Sequence, residues 1–236
     1  MRLSLTKRDG FYVILAGIIV VIYVATANGG FPLDDSWIHQ VYARNLAENG
    51  EWAFISGEPS GASTSPLYTV LLAAGYLLNV PYDIWAHLLG AIALGASGML
   101  AGRLADRLLP FETFTTFITG GDIVISWHLA WAAVAGMETM IFCMFTLLLA
   151  YLTWRELDAL SQDASDVMWR GGVFGIVAAL ATLTRPEGVL LAGLCGLLLL
   201  LVRPNNSWSK IVMWSIGAII GFFVFVLPYM LLNLAL

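Results

Sequence analysis

Two adjacent carboxylates, Asp34 and Asp35, open the chain's main polar stretch, Asp34-Asp35-Ser36-Trp37-Ile38-His39-Gln40-Val41-Tyr42-Ala43-Arg44-Asn45-Leu46. Trp37/Ile38, Val41 and Leu46 recur at about helical spacing, which predicts an amphipathic helix. One aspartate can cap that helix, because free N–H groups and the helix dipole favour a carboxylate there. Capping does not need two. Adjacent ionised carboxylates repel, so the pair points to a cation, a cationic partner or a proton held between them. A cap beside a solvated turn is the plainer alternative. On a helix Asp35, His39 and Tyr42 share a face, a spacing compatible with a partial metal site.

Other candidate groups are scattered singly. Glu138, in Ala135-Gly136-Met137-Glu138-Thr139, falls between two apolar runs, as a helix-start carboxylate or as a second acidic functional group. Asp122 follows Gly120-Gly121 inside an apolar run, where an ionisable side chain is costly and is either paired or functional. Arg185 and Glu187, in Thr184-Arg185-Pro186-Glu187-Gly188, interrupt an apolar stretch and mark the tip of a helical hairpin. A guanidinium there suits a phosphate diester at headgroup depth; a salt bridge to Glu187 or snorkelling toward headgroups is the alternative. His87 and His128 read as interfacial residues. Gly57–Pro66 is turn-rich, either a plain surface loop or one whose backbone N–H groups approach a phosphate. Within it, Ser65 and Pro66 predict the N-cap and first residue of a short helix.

The elements that must position these groups are membrane helices. Of 236 residues, 59% are hydrophobic and 11% charged, and the mean hydropathy is +0.83; an average soluble domain has about 25% charged residues. Apolar runs separated by short charged punctuation match the roughly 20 residues needed to cross about 30 Å of hydrocarbon. The ten-residue alternation of an outer-membrane barrel is absent. Cys143 and Cys195 lie in apolar runs as small hydrophobes, and no disulfide is expected. Arg2, Lys7 and Arg8 precede Phe11–Ala27, a run long for a signal peptide. An uncleaved first span is therefore expected, although Ala25, Ala27 and Gly29 resemble a cleavage site.

The basic residues count the crossings. The apolar runs are Phe11–Ala27, Pro66–Val80, Ile84–Gly102, Phe111–Trp127, Met140–Trp154, Gly171–Thr184, Val189–Val202 and Ile211–Leu236. If Pro66–Val80 crosses, only Arg2, Lys7, Arg8 and Arg185 are cytoplasmic, against the positive-inside rule. If it stays at the interface, the inside holds Arg2, Lys7, Arg8, Arg103, Arg107, Arg155, Arg170, Arg203 and Lys210, leaving Arg44 and Arg185 outside. Its length of about 22 Å also falls short of the hydrocarbon. The expectation is an all-α polytopic membrane protein with about seven transmembrane helices, N-terminus cytoplasmic. A large first extracytoplasmic loop contains juxtamembrane helices. Residues 1–236 form one membrane domain: first span 11–27, loop with interfacial helices 28–83, remaining spans 84–236. Glu138 and the Arg185–Gly188 tip fall on the outer side. The cytoplasmic links, including Ser161–Ser165, are short connectors.

In order, the first span, the loop opening Asp34-Asp35, the tract Tyr42-Ala43-Arg44-Asn45-Leu46-Ala47-Glu48-Asn49-Gly50-Glu51-Trp52, Thr64-Ser65-Pro66-Leu67-Tyr68, Gly136-Met137-Glu138-Thr139 and Thr184-Arg185-Pro186-Glu187-Gly188 resemble the C-type (GT-C) membrane glycosyltransferases. That superfamily includes protein O-mannosyltransferases, the aminoarabinose transferase of lipid A and mycobacterial arabinofuranosyltransferases. The resemblance implies a plasma-membrane enzyme that moves a sugar from a polyprenyl-phosphate donor to an extracytoplasmic glycan, lipid or protein acceptor, with inversion. It implies Asp34 or Asp35 as the general base; spacing to Arg44-Asn45-Leu46 favours Asp34 by analogy with the mannosyl and aminoarabinose enzymes, and Asp35 by analogy with the oligosaccharyltransferase. Arg185 and Arg44 would bind donor phosphate, and Glu138, Asp35 and His39 would hold a divalent cation, Mg or Mn. Relatives usually continue beyond a seventh span, so the chain is expected to be a module of a longer protein or a shortened relative. The alternative is a non-catalytic subunit of this fold packed against partners in a membrane complex. A transporter ranks lower, since no repeated pair of broken helices is present, and no nucleic-acid partner is expected.

Overall fold

A computed structural model describes residues 5–27, 30–61, 63–161, 166–202 and 208–236. Arg2, Arg203, Gly29 and most of the Ser161–Ser165 link lie outside them. The described elements are helices α1 (Lys7–Thr26) and α2 (Asp35–Asn49), a hairpin of β1 (Ala53–Ile55) and β2 (Glu58–Pro59), then α3 (Pro66–Leu77), α4 (Tyr82–Leu108), α5 (Thr113–Ile125), α6 (Trp127–Val134), α7 (Thr139–Ser161), α8 (Val167–Thr184), α9 (Gly188–Val202) and α10 (Trp208–Ala235). The chain divides into two compact units, Met1–Ser63 with Tyr68–Met144, and Thr64–Leu67 with Phe145–Leu236.

Hydropathy explains most of the helices. Among the described residues α1, α4, α7, α8 and α10 are each long and apolar enough to cross a membrane, and α5 with α6 makes a sixth if that bent pair is one span. Two of the seven expected crossings differ from expectation. The third is broken: Ser126 takes an extended conformation (φ −57°, ψ 119°), ending α5 and starting α6 with a 47° bend between them. The sixth, Val189–Val202, falls in α9, whose 15 residues reach only about 22 Å at 1.5 Å per residue. The expected short helix after Ser65 is present as α3, which begins at Pro66 and has 12 residues.

In the first unit α1, α4, α5 and α6 pack together. The start of α1 is fixed by a capping box, in which the Thr6 hydroxyl accepts from Asp9 N–H and Asp9 accepts from Thr6 N–H. Two ion pairs then hold the start of α1 against the end of α4. Arg8 forks onto Asp106, with Nη1 2.8 Å from Oδ1, and Arg103 Nη2 lies 2.8 Å from Asp9 Oδ2. The two helices are therefore antiparallel, and Arg8 and Arg103 share one end of the unit. That matches their expected common side. Tyr12 donates to the Phe117 carbonyl at 2.9 Å, tying α1 to α5.

In the second unit α8 and α10 touch backbone to backbone. A Cβ at Gly171 would lie 2.0 Å from the Trp214 carbonyl oxygen, and one at Gly175 2.0 Å from that of Ala218. Reciprocally, a Cβ at Gly217 would lie 2.0 Å from the Met168 carbonyl oxygen and one at Gly221 2.3 Å from that of Gly172. Each helix thus carries a G-x-x-x-G stripe of the kind that lets membrane helices approach closely, where lipid offers no hydrophobic drive for association. Glu156, fully buried on α7, is neutralised by Arg170 of α8, whose Nε lies 3.0 Å from its Oε2.

Candidate functional site

Helix α2 forms where expected but presents the opposite face inward. Ser36, His39, Gln40, Tyr42, Ala43 and Asn45 are buried, while Trp37 and Ile38 are exposed. All but Ala43 carry a polar group, and each of these finds a contact, the Tyr42 hydroxyl lying 2.6 Å from Ser60 Oγ. Ser36 Oγ donates to the Ala135 carbonyl at 2.6 Å. His39 Nε2 lies 3.2 Å from Glu138 Oε2, both side chains being about 95% buried, a contact that is an ion pair when the imidazole is protonated. Tyr68 of α3 sets its ring edge against His39. Tyr76 donates to Gln40 Oε1 at 2.9 Å, and Asn45 Nδ2 donates to the carbonyls of Ala53 and Phe54. The outward aromatic, Trp37, meets Phe31 and Tyr82, the latter at the start of α4, in tilted ring contacts at 5.5 Å.

The turn that receives α2 is built for close approach. Gly136 adopts φ +71°, in the left-handed region that only glycine enters without strain. The Phe31 ring covers it so closely that a Cβ there would lie 2.5 Å from the ring. Glu138 directly precedes α7, so its helix-start role and its contact with His39 coexist. Burial, reinforced by the charge of Glu138, pushes the Tyr68 hydroxyl pKa up, so Tyr68 stays a neutral donor. Burial also raises Tyr76, partly offset by Arg44. His39 Nδ1 and Gln40 Nε2, both buried, meet no hydrogen-bond partner among the described residues.

Both aspartates remain exposed at the open end of this helix. Asp34 is the N-cap, its Oδ1 accepting only from Asp35 N–H at 3.1 Å. Among the described residues, capping thus occupies one oxygen of one carboxylate and leaves Asp35 without a side-chain hydrogen bond. Arg44 is exposed further along α2. Arg185 belongs to the second unit, where it ends α8 and its Nε lies 3.7 Å from Glu187 Oε2. Both side chains of that pair are largely exposed, so the contact contributes at most about 1 kcal/mol. Of the turn-rich residues considered for phosphate, Gly57 N–H is taken by the Glu51 carboxylate at 2.8 Å, in the turn of the β1–β2 hairpin.

Comparison with protein-family models, curated proteins and solved structures finds no match to this chain.

The three residues expected to share a metal are not brought together. His39 and Glu138 meet, but they face each other, and Asp35 lies on the exposed side. Among the described residues no group of three His, Cys, Asp or Glu side chains is close enough to hold an ion. Sequence reasoning also missed Ser36, Gln40, Tyr68 and Tyr76. The signal was the small and polar stripe Ser36, His39, Gln40 and Ala43, at the i, i+3, i+4, i+7 spacing of one helix face.

Proposed function

We propose that this protein transfers a sugar from a polyprenyl-phosphate donor to an extracytoplasmic acceptor, with Asp34 or Asp35 as general base. The observation that carries the reading is the docking of α2 on the turn before α7, through Ser36–Ala135 and His39–Glu138, with both aspartates left exposed beside it. Between the two contacting segments lie α3, α4 and the α5–α6 pair. Segments that touch outside the hydrocarbon are separated by an even number of crossings. With α4 and the bent pair supplying two, α3 supplies none, which agrees with its 12-residue length and with the distribution of Lys and Arg. The seven-crossing topology with a cytoplasmic N-terminus in the plasma membrane belongs to this reading, with α9 as its short member.

The chemistry follows from the carboxylates. An ionised aspartate accepts the proton of the acceptor hydroxyl while the hydroxyl oxygen bonds to the anomeric carbon. The anomeric C–O bond to phosphate breaks on the opposite face, its electron pair leaves with the polyprenyl phosphate, and the configuration inverts. Arg44, exposed on the same helix as the aspartates, offsets the charge gained by the departing phosphate. Purified full-length chain, given polyprenyl-phosphate pentose or hexose and a panel of glycan, lipid and peptide acceptors, is expected to form an inverted glycoside. Absence of transfer to every acceptor opposes the reading.

A second reading, a non-catalytic subunit of a membrane assembly, draws on Asp122. This carboxylate is exposed on α5 within an apolar span, where an uncovered charge is costly and a neighbouring chain would relieve it. Co-purification in fixed stoichiometry, with both loop aspartates replaceable at no cost, favours that reading.

A further inference from the structure

Glu138 and His39 have no step of their own in the chemistry above, yet they are the most deeply enclosed ionisable pair at the site. We propose that they form a positioning latch, in which Glu138 acts through His39 to hold α2, and hence Asp34 and Asp35, in register with the membrane face. This rests on the sugar-transfer reading for its consequence but not for its existence.

Four observations converge on it. His39 Nε2 and Glu138 Oε2 are 3.2 Å apart and almost wholly buried, so neither is open to a substrate. The same two segments are joined a turn earlier by Ser36 and Ala135. Gly136 and Phe31 interlock under the contact. Asp35 and His39 are separated by one helical turn, so rotation or lift of α2 at His39 is transmitted directly to the aspartates. Removing one partner of a buried pair strands the other in a low-dielectric site, which weakens docking by far more than an exposed pair would. A shift of about 1 Å in a catalytic group costs up to about 10²-fold in rate.

The test ties the two segments covalently. In full-length protein with Cys143 and Cys195 changed to Ala, the pair Ser36→Cys and Ala135→Cys is introduced, and disulfide formation is timed with and without Glu138→Ala. The latch predicts slower closure with Glu138→Ala and a smaller slowing with Glu138→Gln, which keeps the side chain's volume and dipole beside His39 but not its charge. Transfer from polyprenyl-phosphate pentose or hexose is measured on the same proteins. Glu138→Ala is expected to lower kcat about 10²-fold with KM for the donor unchanged, and the oxidised disulfide is expected to restore it. Closure unaffected by Glu138→Ala overturns the latch. Loss of transfer that the disulfide does not rescue also overturns it, because Glu138 then acts on substrate or an ion directly. If closure slows as predicted but the parent protein transfers no sugar, the latch stands and the sugar-transfer reading fails.

Discussion

Replacing Asp34 and Asp35 together by Asn is expected to lower kcat for sugar transfer by about 10²–10⁴-fold, the usual contribution of a general base. The substitution removes charge and proton affinity while leaving shape nearly intact. Asn is as good an N-cap as Asp, so α2 keeps its start, and both side chains are exposed with no packing to lose. Thermal unfolding should therefore shift by less than about 0.5 kcal/mol in stability, typical of surface sites. The single variants separate the two candidates. If Asp34→Asn alone reproduces the double loss, Asp34 is the base and Asp35 shapes the local potential; the reverse pattern assigns the role to Asp35. Equal, mild effects from both would instead support the reading in which the pair has no chemical role.

The second large effect is structural and falls in the other unit. Gly217→Leu is expected to separate α8 from α10, because its Cβ would lie 2.0 Å from the Met168 carbonyl oxygen, a rigid backbone atom. Overpacking a well-filled core costs about 1–3 kcal/mol, and more where backbone has to move. Gly217→Ala should already show a loss in that range, and the leucine variant should unfold the unit. Gly193→Ala and Gly196→Ala on α9 are the controls, since an added Cβ at either meets nothing within 4 Å. Trp214, buried on α10 with its ring tilted against Phe174, supplies the fluorescence readout. Equal stability of the Gly217 and Gly193 variants would contradict the close α8–α10 packing.

These two results draw on features of unequal visibility in the sequence. The apolar runs gave away the helices, because hydrophobic length is a nearly sufficient condition for a spanning helix. The Gly171/Gly175 and Gly217/Gly221 stripes were equally visible as G-x-x-x-G in apolar sequence, but which helices they join is a tertiary fact. The break at Ser126 had no proline to announce it.

Helix α2 teaches a different lesson. Its existence followed from periodicity, yet its inward face did not, because the rule that apolar residues point inward assumes water outside. Trp37, though exposed, packs its ring beside Phe31 and Tyr82. Ser36, His39, Gln40 and Asn45 gain by turning toward carbonyls, a carboxylate and a tyrosine. Asp34, Asp35 and Glu138 were each legible as isolated carboxylates. What could not be read was that Glu138 reaches His39 while the aspartates stay exposed, since that depends on tertiary packing and on Gly136 admitting Phe31.

The two aspartates and the Glu138 turn are expected on one side of the bilayer, opposite the start of α1. In cysteine-free protein, Glu58→Cys, Thr139→Cys and Lys7→Cys each put a thiol at an exposed position: the hairpin after α2, the start of α7 and the start of α1. In sealed, oriented vesicles a membrane-impermeant maleimide is expected to label positions 58 and 139 from the same outer face, and position 7 only from the inner one. Labelling of 58 and 139 from opposite faces would mean that α3 crosses, and a site shared by the aspartates and Glu138 would not exist.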